Sequence, residues 1–152
     1  MSPMTALAVP IEITGSGVEG VDGIWDVTTV TGTGNDLLGL LDDQVWFGNS
    51  DLGWLFATTV GDALGFPNSG TLGPLFLVVD DGSLVANIDR ALQGYRYRDY
   101  DGGRTNIFTN RGAGTMSWAV ATQVTSVPEP GTLALLGVGL AGIGMSRRKR
   151  KS

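Results

Sequence analysis

Histidine and cysteine are absent from this chain, and lysine is absent from residues 1–126. That removes Ser-His-Asp and Cys-His nucleophiles, Lys-dependent arrangements and the preferred ligands of zinc. The ionisable groups of residues 1–126 are fourteen acids and five arginines, a net charge of −9. Such a surface repels nucleic acid and anionic lipid and attracts Ca²⁺ or cationic partners. Carboxylates alone could serve a glycosidase if two faced each other across a cleft. Asp42-Asp43 and Asp80-Asp81 are sequence neighbours, which on a strand point to opposite faces, so they read as turn acids. No G-x-S-x-G, P-loop or dinucleotide motif is present. The expectation is a protein that is not an enzyme and carries no cofactor.

Three segments hold residues that could bind something. Tyr95-Arg96-Tyr97-Arg98 could form an aromatic and cationic platform for a sugar or an anionic polymer. Strand alternation explains the same pattern, with tyrosines packed inward and arginines solvated. Asp99-Tyr100-Asp101-Gly102-Gly103 begins like an EF-hand loop, but Gly103 stands at the third ligand position and no acid closes the loop. Asp99 and Asp101 are therefore weak Ca²⁺ candidates beside the reading of a turn. Gly32-Thr33-Gly34-Asn35-Asp36-Leu37-Leu38 resembles one turn of a Ca²⁺-binding nonapeptide repeat. Such repeats share each ion between neighbouring turns, and without a second copy the segment reads as a loop after a strand. Trp25, Trp46, Trp54 and Trp118 are core candidates first.

The elements that must position these residues are mostly short strands. Residues 9–126 suffice for one domain with a core, and their many glycines, spaced among Thr, Val and Asn, indicate strands joined by tight turns. Strands are expected at 24–31, 75–79, 84–86, 94–100 and 105–109, with Asp80-Asp81-Gly82-Ser83 as a hairpin tip. A final strand should put Met116, Trp118 and Val120 into the core. Leu52, Leu55, Phe56, Val60 and Leu64 follow helical spacing, which predicts a helix over about 51–64. Ser50 would cap its start, Gly61 would be a weak point, and Gly65 and Pro67 would end it. The expected fold is mainly β, an antiparallel, sandwich-like domain with one packed helix.

The end of the chain has a different character. Pro128-Glu129-Pro130 favours extended backbone, the shape that a protease cleft binds. Residues 130–146 carry no charge and include five glycines. As a helix they span roughly 25 Å, the short end of what crosses a hydrocarbon core of about 30 Å. A single transmembrane helix is expected at about 131–146. Arg147, Arg148, Lys149, Arg150 and Lys151 then act as a cytoplasmic stop, leaving the domain outside. At the other end, Ala6-Leu7-Ala8 has the form of a signal-peptidase site. Residues 1–8 are read as the remnant of a signal peptide, with a chance Ala-x-Ala as the alternative.

In position and order, Pro128-Glu129-Pro130, the short Gly/Leu-rich run and the basic terminus resemble the PEP-CTERM sorting signal of Gram-negative bacteria. The resemblance implies an exported protein, held in the inner membrane by residues 127–151 and processed by exosortase, a membrane cysteine protease. Recognition would run through Pro128, Glu129 and Pro130, with the processed form going to the cell surface or extracellular matrix. It further implies an association with exopolysaccharide and biofilm. Residues 24–80, through Trp25 to Thr33, Gln44 to Gly48 and Pro67-Asn68, resemble ectodomains of the same family more loosely and imply no settled activity. The alternative for the tail is an ordinary single-pass anchor with a proline-containing spacer.

Overall fold

A β-branched and aromatic run from Gly23 to Thr33 builds the strand that organises the first sheet. This strand, β2 (Gly23–Thr33), buries Trp25 and Val27 while Ile24 and Asp26 face out, the period-two signature of a half-buried strand. In the computed structural model, residues 7–85, 89–98, 103–111 and 113–125 are described, together with Val138 and Leu140. β2 pairs antiparallel with β1 (Val9–Ile13) on one side and with β6 (Thr115–Gln123) on the other, Trp25 opposite Gln123 and Thr33 opposite Thr115. A second three-stranded antiparallel sheet is formed by β3 (Phe76–Val85), β4 (Asp89–Arg98) and β5 (Arg104–Arg111), with β4 in the middle. Phe76 lies opposite Tyr95, and Tyr95 opposite Ile107.

The two sheets join edge to edge at one point. Leu75, just before β3, makes a parallel bridge to Trp118 of β6. Its N–H donates to the Ser117 carbonyl at 3.0 Å, and its carbonyl accepts from Ala119 N–H at 2.9 Å. Asn68 extends this seam with its side chain. Asn68 Nδ2 donates to the carbonyls of Gly73 (3.0 Å) and Ser117 (2.9 Å), and Asn68 Oδ1 accepts from Ser117 N–H at 2.9 Å. The residue is 5% exposed, so these bonds form away from solvent, where leaving the partners unmade is costly.

Two helices cover the sheets where one was expected. The first, α1 (Gly34–Leu41), occupies the segment read from sequence as a Gly-Asn-Asp loop. Thr33 caps it by accepting from Asp36 N–H at 3.1 Å, and Thr33 Oγ1 donates to Asp36 Oδ2 at 2.6 Å. The second, α2 (Ser50–Val60), is the helix predicted from periodicity, four residues shorter at its end. Its cap is Asn49 rather than Ser50, with Oδ1 accepting from Leu52 N–H at 3.1 Å. Gly61, at φ 52°, ends it before Gly65, because glycine alone enters that region without strain. The expected 80–83 hairpin tip is also displaced. β3 runs on through those residues with an irregular register, Asp80 opposite Leu92, Leu84 opposite Arg90 and Val85 opposite Asp89.

Each helix seals one apolar cluster. Leu52, Phe56, Ala57 and Val60 of α2 pack with Ile11, Ile13, Trp25, Val27, Trp46, Phe76 and Val78. Trp25 and Phe56 meet edge-on at 5.4 Å, and Trp46 sits 4.8 Å from Phe56 and 5.2 Å from Phe76. Such aromatic pairs each add roughly 0.5–1.5 kcal/mol beyond area burial. Leu41 of α1 packs with Leu75, Leu77, Leu92, Phe108 and Trp118, with Met116 and Val120 at the margin. Three of the four tryptophans are core residues as expected, but Trp54, on the outer face of α2, is 49% exposed. Among the described residues no helix is long and apolar enough to cross a membrane. The expected span at 131–146 lies outside them except for Val138 and Leu140, which are helical and exposed.

Candidate functional site

β4 separates the four platform residues by alternation. Tyr95 and Tyr97 lie on the side of the sheet that α2 covers; Arg96 and Arg98 lie on the other. The Tyr95 ring packs against the α2-side cluster and over Gly53, where an added Cβ would meet the ring at 3.3 Å. Its hydroxyl shares a 2.6 Å hydrogen bond with Ser50 Oγ at the start of α2. Tyr97 is half-buried, its carbonyl accepts from Gly73 N–H at 2.9 Å, and its ring end lies against Gly103. The tyrosines therefore dock α2 and the flanking loops onto the second sheet, and they do not form a flat stacking row with the arginines.

The arginines have a third member. Arg98 stands directly opposite Arg104 across the β4–β5 ladder, so Arg96, Arg98 and Arg104 share one face. On that face the apolar floor ends at Gly94 opposite Phe108, and the arginines continue from there. Gly94 is required where it stands, because a Cβ there would run into the Phe76 carbonyl and the Phe108 ring. Partial burial, and then repulsion from Arg98, lower the pKa of Arg96 from its ordinary value. An arginine so displaced still carries its charge at neutral pH. The sequence pattern reveals Arg96 and Arg98. Arg104 escaped it because its position depends on β4 and β5 pairing across the Asp99–Gly103 connection.

A hollow of about 220 Å³ opens on the α2 side of the second sheet, lined by Ser50, Val78, Val79, Gln93, Tyr95 and Ile107 among others. Its volume falls below the roughly 300–1,000 Å³ of ordinary small-molecule pockets. Ile107, on the edge strand, is 66% exposed at its rim. Among the described residues no group of three His, Cys, Asp or Glu is placed to hold a metal ion. The Ca²⁺ candidates Asp99 and Asp101 lie outside those residues, as do Pro128, Glu129, Pro130 and the basic run at 147–151. One exposed acid is fully engaged. Asp22 accepts from Gly15 N–H at 3.0 Å and Ser16 N–H at 2.9 Å, closing the β1–β2 connection. Bonds from the Ser16 side chain and backbone, and from Gly15, hold its carboxyl below the ordinary value of 3.8.

The last described strand ends close in sequence to Pro128. β6 lies between β2 and the Leu75 bridge, and after Thr125 only Ser126 and Val127 precede Pro128. A family model described as the PEP-CTERM protein-sorting motif matches residues 126–150. The chain thus carries a sorting motif of that type, which implies exosortase-targeted sorting of a membrane-anchored and then surface-exported protein. No curated protein and no solved structure matches the chain.

Proposed function

We propose that this chain is a structural, non-catalytic component of the cell surface or extracellular matrix, delivered there by its tail and associated with exopolysaccharide. The observation that carries this reading is the sorting motif at residues 126–150, directly following a folded, acidic β-domain. In this reading the tail anchors the protein in the inner membrane with the domain outside. Exosortase then acts near Pro128–Pro130, and the domain is released or transferred outward. Because β6 ends at Gln123, cleavage near Pro128–Pro130 would remove no residue of either described sheet.

The test is the intact mass of the native protein in its host, with and without exosortase. Loss of everything after about Val127, only when the enzyme is present, is the expected result. A full-length tail in both strains would reduce the motif to a plain anchor and remove the main support for a matrix role. A second reading, a binding module for polysaccharide, is favoured by the arginines of β4 and β5 rather than by the tyrosines, which are taken up in docking α2.

A further inference from the structure

We propose that β5 is the contact strand of a two-fold homodimer, in which it pairs antiparallel with β5 of a second copy of this chain. The proposal goes beyond the sorting reading and does not rest on it. The first ground is topology. The Leu75–Trp118 bridge sets the sheets in the order β1-β2-β6 and then β3-β4-β5, which leaves β1 and β5 as the outer edges. An edge strand presents a row of backbone donors and acceptors that another strand can pair. β1 is blunted against this, because Pro10 within it has no N–H and Glu12 is exposed. β5 carries neither proline nor lysine, and its register with β4 runs unbroken from Arg104 to Arg111. Among the described residues it pairs with β4 alone.

The second ground is what stands along that edge. Ile107, near the centre of β5, is exposed, and so is Val79 across the hollow. α2 reaches the second sheet through Ser50, bonded to Tyr95, and through Thr58, whose hydroxyl lies 2.7 Å from that of Thr105. Trp54 stands one helical turn from each, on the flank of α2 that leads to β5, and is exposed. Tryptophan is among the residues that most often anchor a protein contact. The third ground is self-complementarity. A two-fold axis at Ile107 sets Ile107 opposite Ile107 of the copy, Thr105 opposite Thr109, Arg104 opposite Asn110 and Arg111 opposite Gly103, so no like charges face each other in the ladder. Opposed side chains share a face, so both α2 helices lie on one side of the joined sheet and each Trp54 flanks the isoleucine pair. At a net charge of −9, residues 1–126 of two copies repel each other. That repulsion is least at this edge, because all five of their arginines lie in β4 and β5.

The experiment is sedimentation of the full chain in neutral detergent over a range of protein concentrations, with oxidation of single-cysteine variants alongside. A dimer without higher species is expected, since a two-fold contact closes on itself. Ile107→Lys sets like charges directly opposite each other and should weaken the dimer about tenfold or more, with an unchanged far-ultraviolet circular dichroism spectrum as the check on folding. Trp54→Ala should weaken it severalfold. The chain has no cysteine, so Ile107→Cys introduces a lone thiol. Directly opposed Cβ atoms lie about 4.5–5.5 Å apart, close enough for oxidation to lock the pair as a disulfide. Ile24→Cys, exposed on the first sheet, should stay unlinked under the same conditions. A monomer at every concentration overturns the proposal. A dimer that Ile107→Lys leaves intact also overturns it, because the contact would then lie elsewhere, the apolar run at 130–146 included. An open series of oligomers would mean head-to-tail contact and overturn the two-fold pairing. If Ile107→Lys does not fold, the cysteine variants decide: linkage of Ile107→Cys alone supports the pairing, and equal linkage of both ends it.

Discussion

Trp46 and Trp118 are both fully buried, yet their indole N–H groups differ in circumstance. Trp118 Nε1 donates to the Gly32 carbonyl at 3.1 Å. Trp46 Nε1 meets no acceptor among the described residues, although its ring packs on Phe56 and Phe76. Trp118→Phe therefore removes a hydrogen bond as well as volume, whereas Trp46→Phe removes volume and an unsatisfied donor. Urea denaturation should find the Trp118 variant less stable than the Trp46 variant by about 1 kcal/mol. Trp46→Ala, which also discards the ring contacts, should cost about 3–5 kcal/mol. Asp22 makes a pH-dependent case. Its carboxyl is held below 3.8 in the fold by Ser16 and Gly15, so its contribution is present above that value. It is lost as pH falls through the depressed value, where the carboxylate protonates and stops accepting. An NMR titration should show the Gly15 and Ser16 amide signals moving in that acid window, and Asp22→Asn should abolish the movement.

At the scale of elements, Gly39 of α1 and Gly53 of α2 should respond oppositely to alanine. Gly39 of α1 is exposed and a Cβ there meets nothing, so Gly39→Ala should stabilise by about 0.5–1 kcal/mol through helix propensity. At Gly53 of α2 the Cβ would collide with Val78 and crowd Tyr95, so Gly53→Ala should destabilise by about 1–3 kcal/mol despite the same propensity gain. Denaturant midpoints of the two variants, moving in opposite directions, check this. The helix α2 was legible in sequence because its apolar stripe is long enough to show a 3.6-residue period. Its ends were not, because Asn49 and Ser50 are both good caps and the choice depends on Tyr95 claiming the Ser50 hydroxyl. The helix α1 is short, and its glycines and Asn-Asp pair imitate a loop. The signal that could have found it is Thr33 with Asp36 three residues on, followed by Leu37, Leu38 and Leu41. Strand positions followed from alternation, but the β3–β4 turn did not, since Asp80-Asp81-Gly82-Ser83 has turn chemistry and is nonetheless taken into the ladder. At the candidate site, alternation foretold that the tyrosines and arginines would part. Which side would be covered required knowing where α2 docks.

For the whole molecule, the two sheets share one backbone bridge, and side chains from both meet in each apolar cluster. β2 and β6 pair along β2 from Trp25 to Thr33, and β4 and β5 pair along β4 from Ala91 to Arg98. Between the sheets, the backbone ladder contributes the bonds of Leu75 to Ser117 and Ala119, reinforced by the Asn68 amide. Asn68→Ala strips Ser117 N–H and the Gly73 carbonyl of buried partners and should cost about 2–4 kcal/mol. Hydrogen exchange at the Ser117 amide should accelerate more than at Val27, within the first sheet. The sorting tail departs from β6 in one sheet, while the arginine row lies in the other. A pull on the tail against the second sheet would load the domain in tension, and the load would cross the Leu75–Asn68 seam together with both apolar clusters. Because both clusters draw side chains from both sheets, the domain would bear that load as one body and would not open at the backbone seam alone.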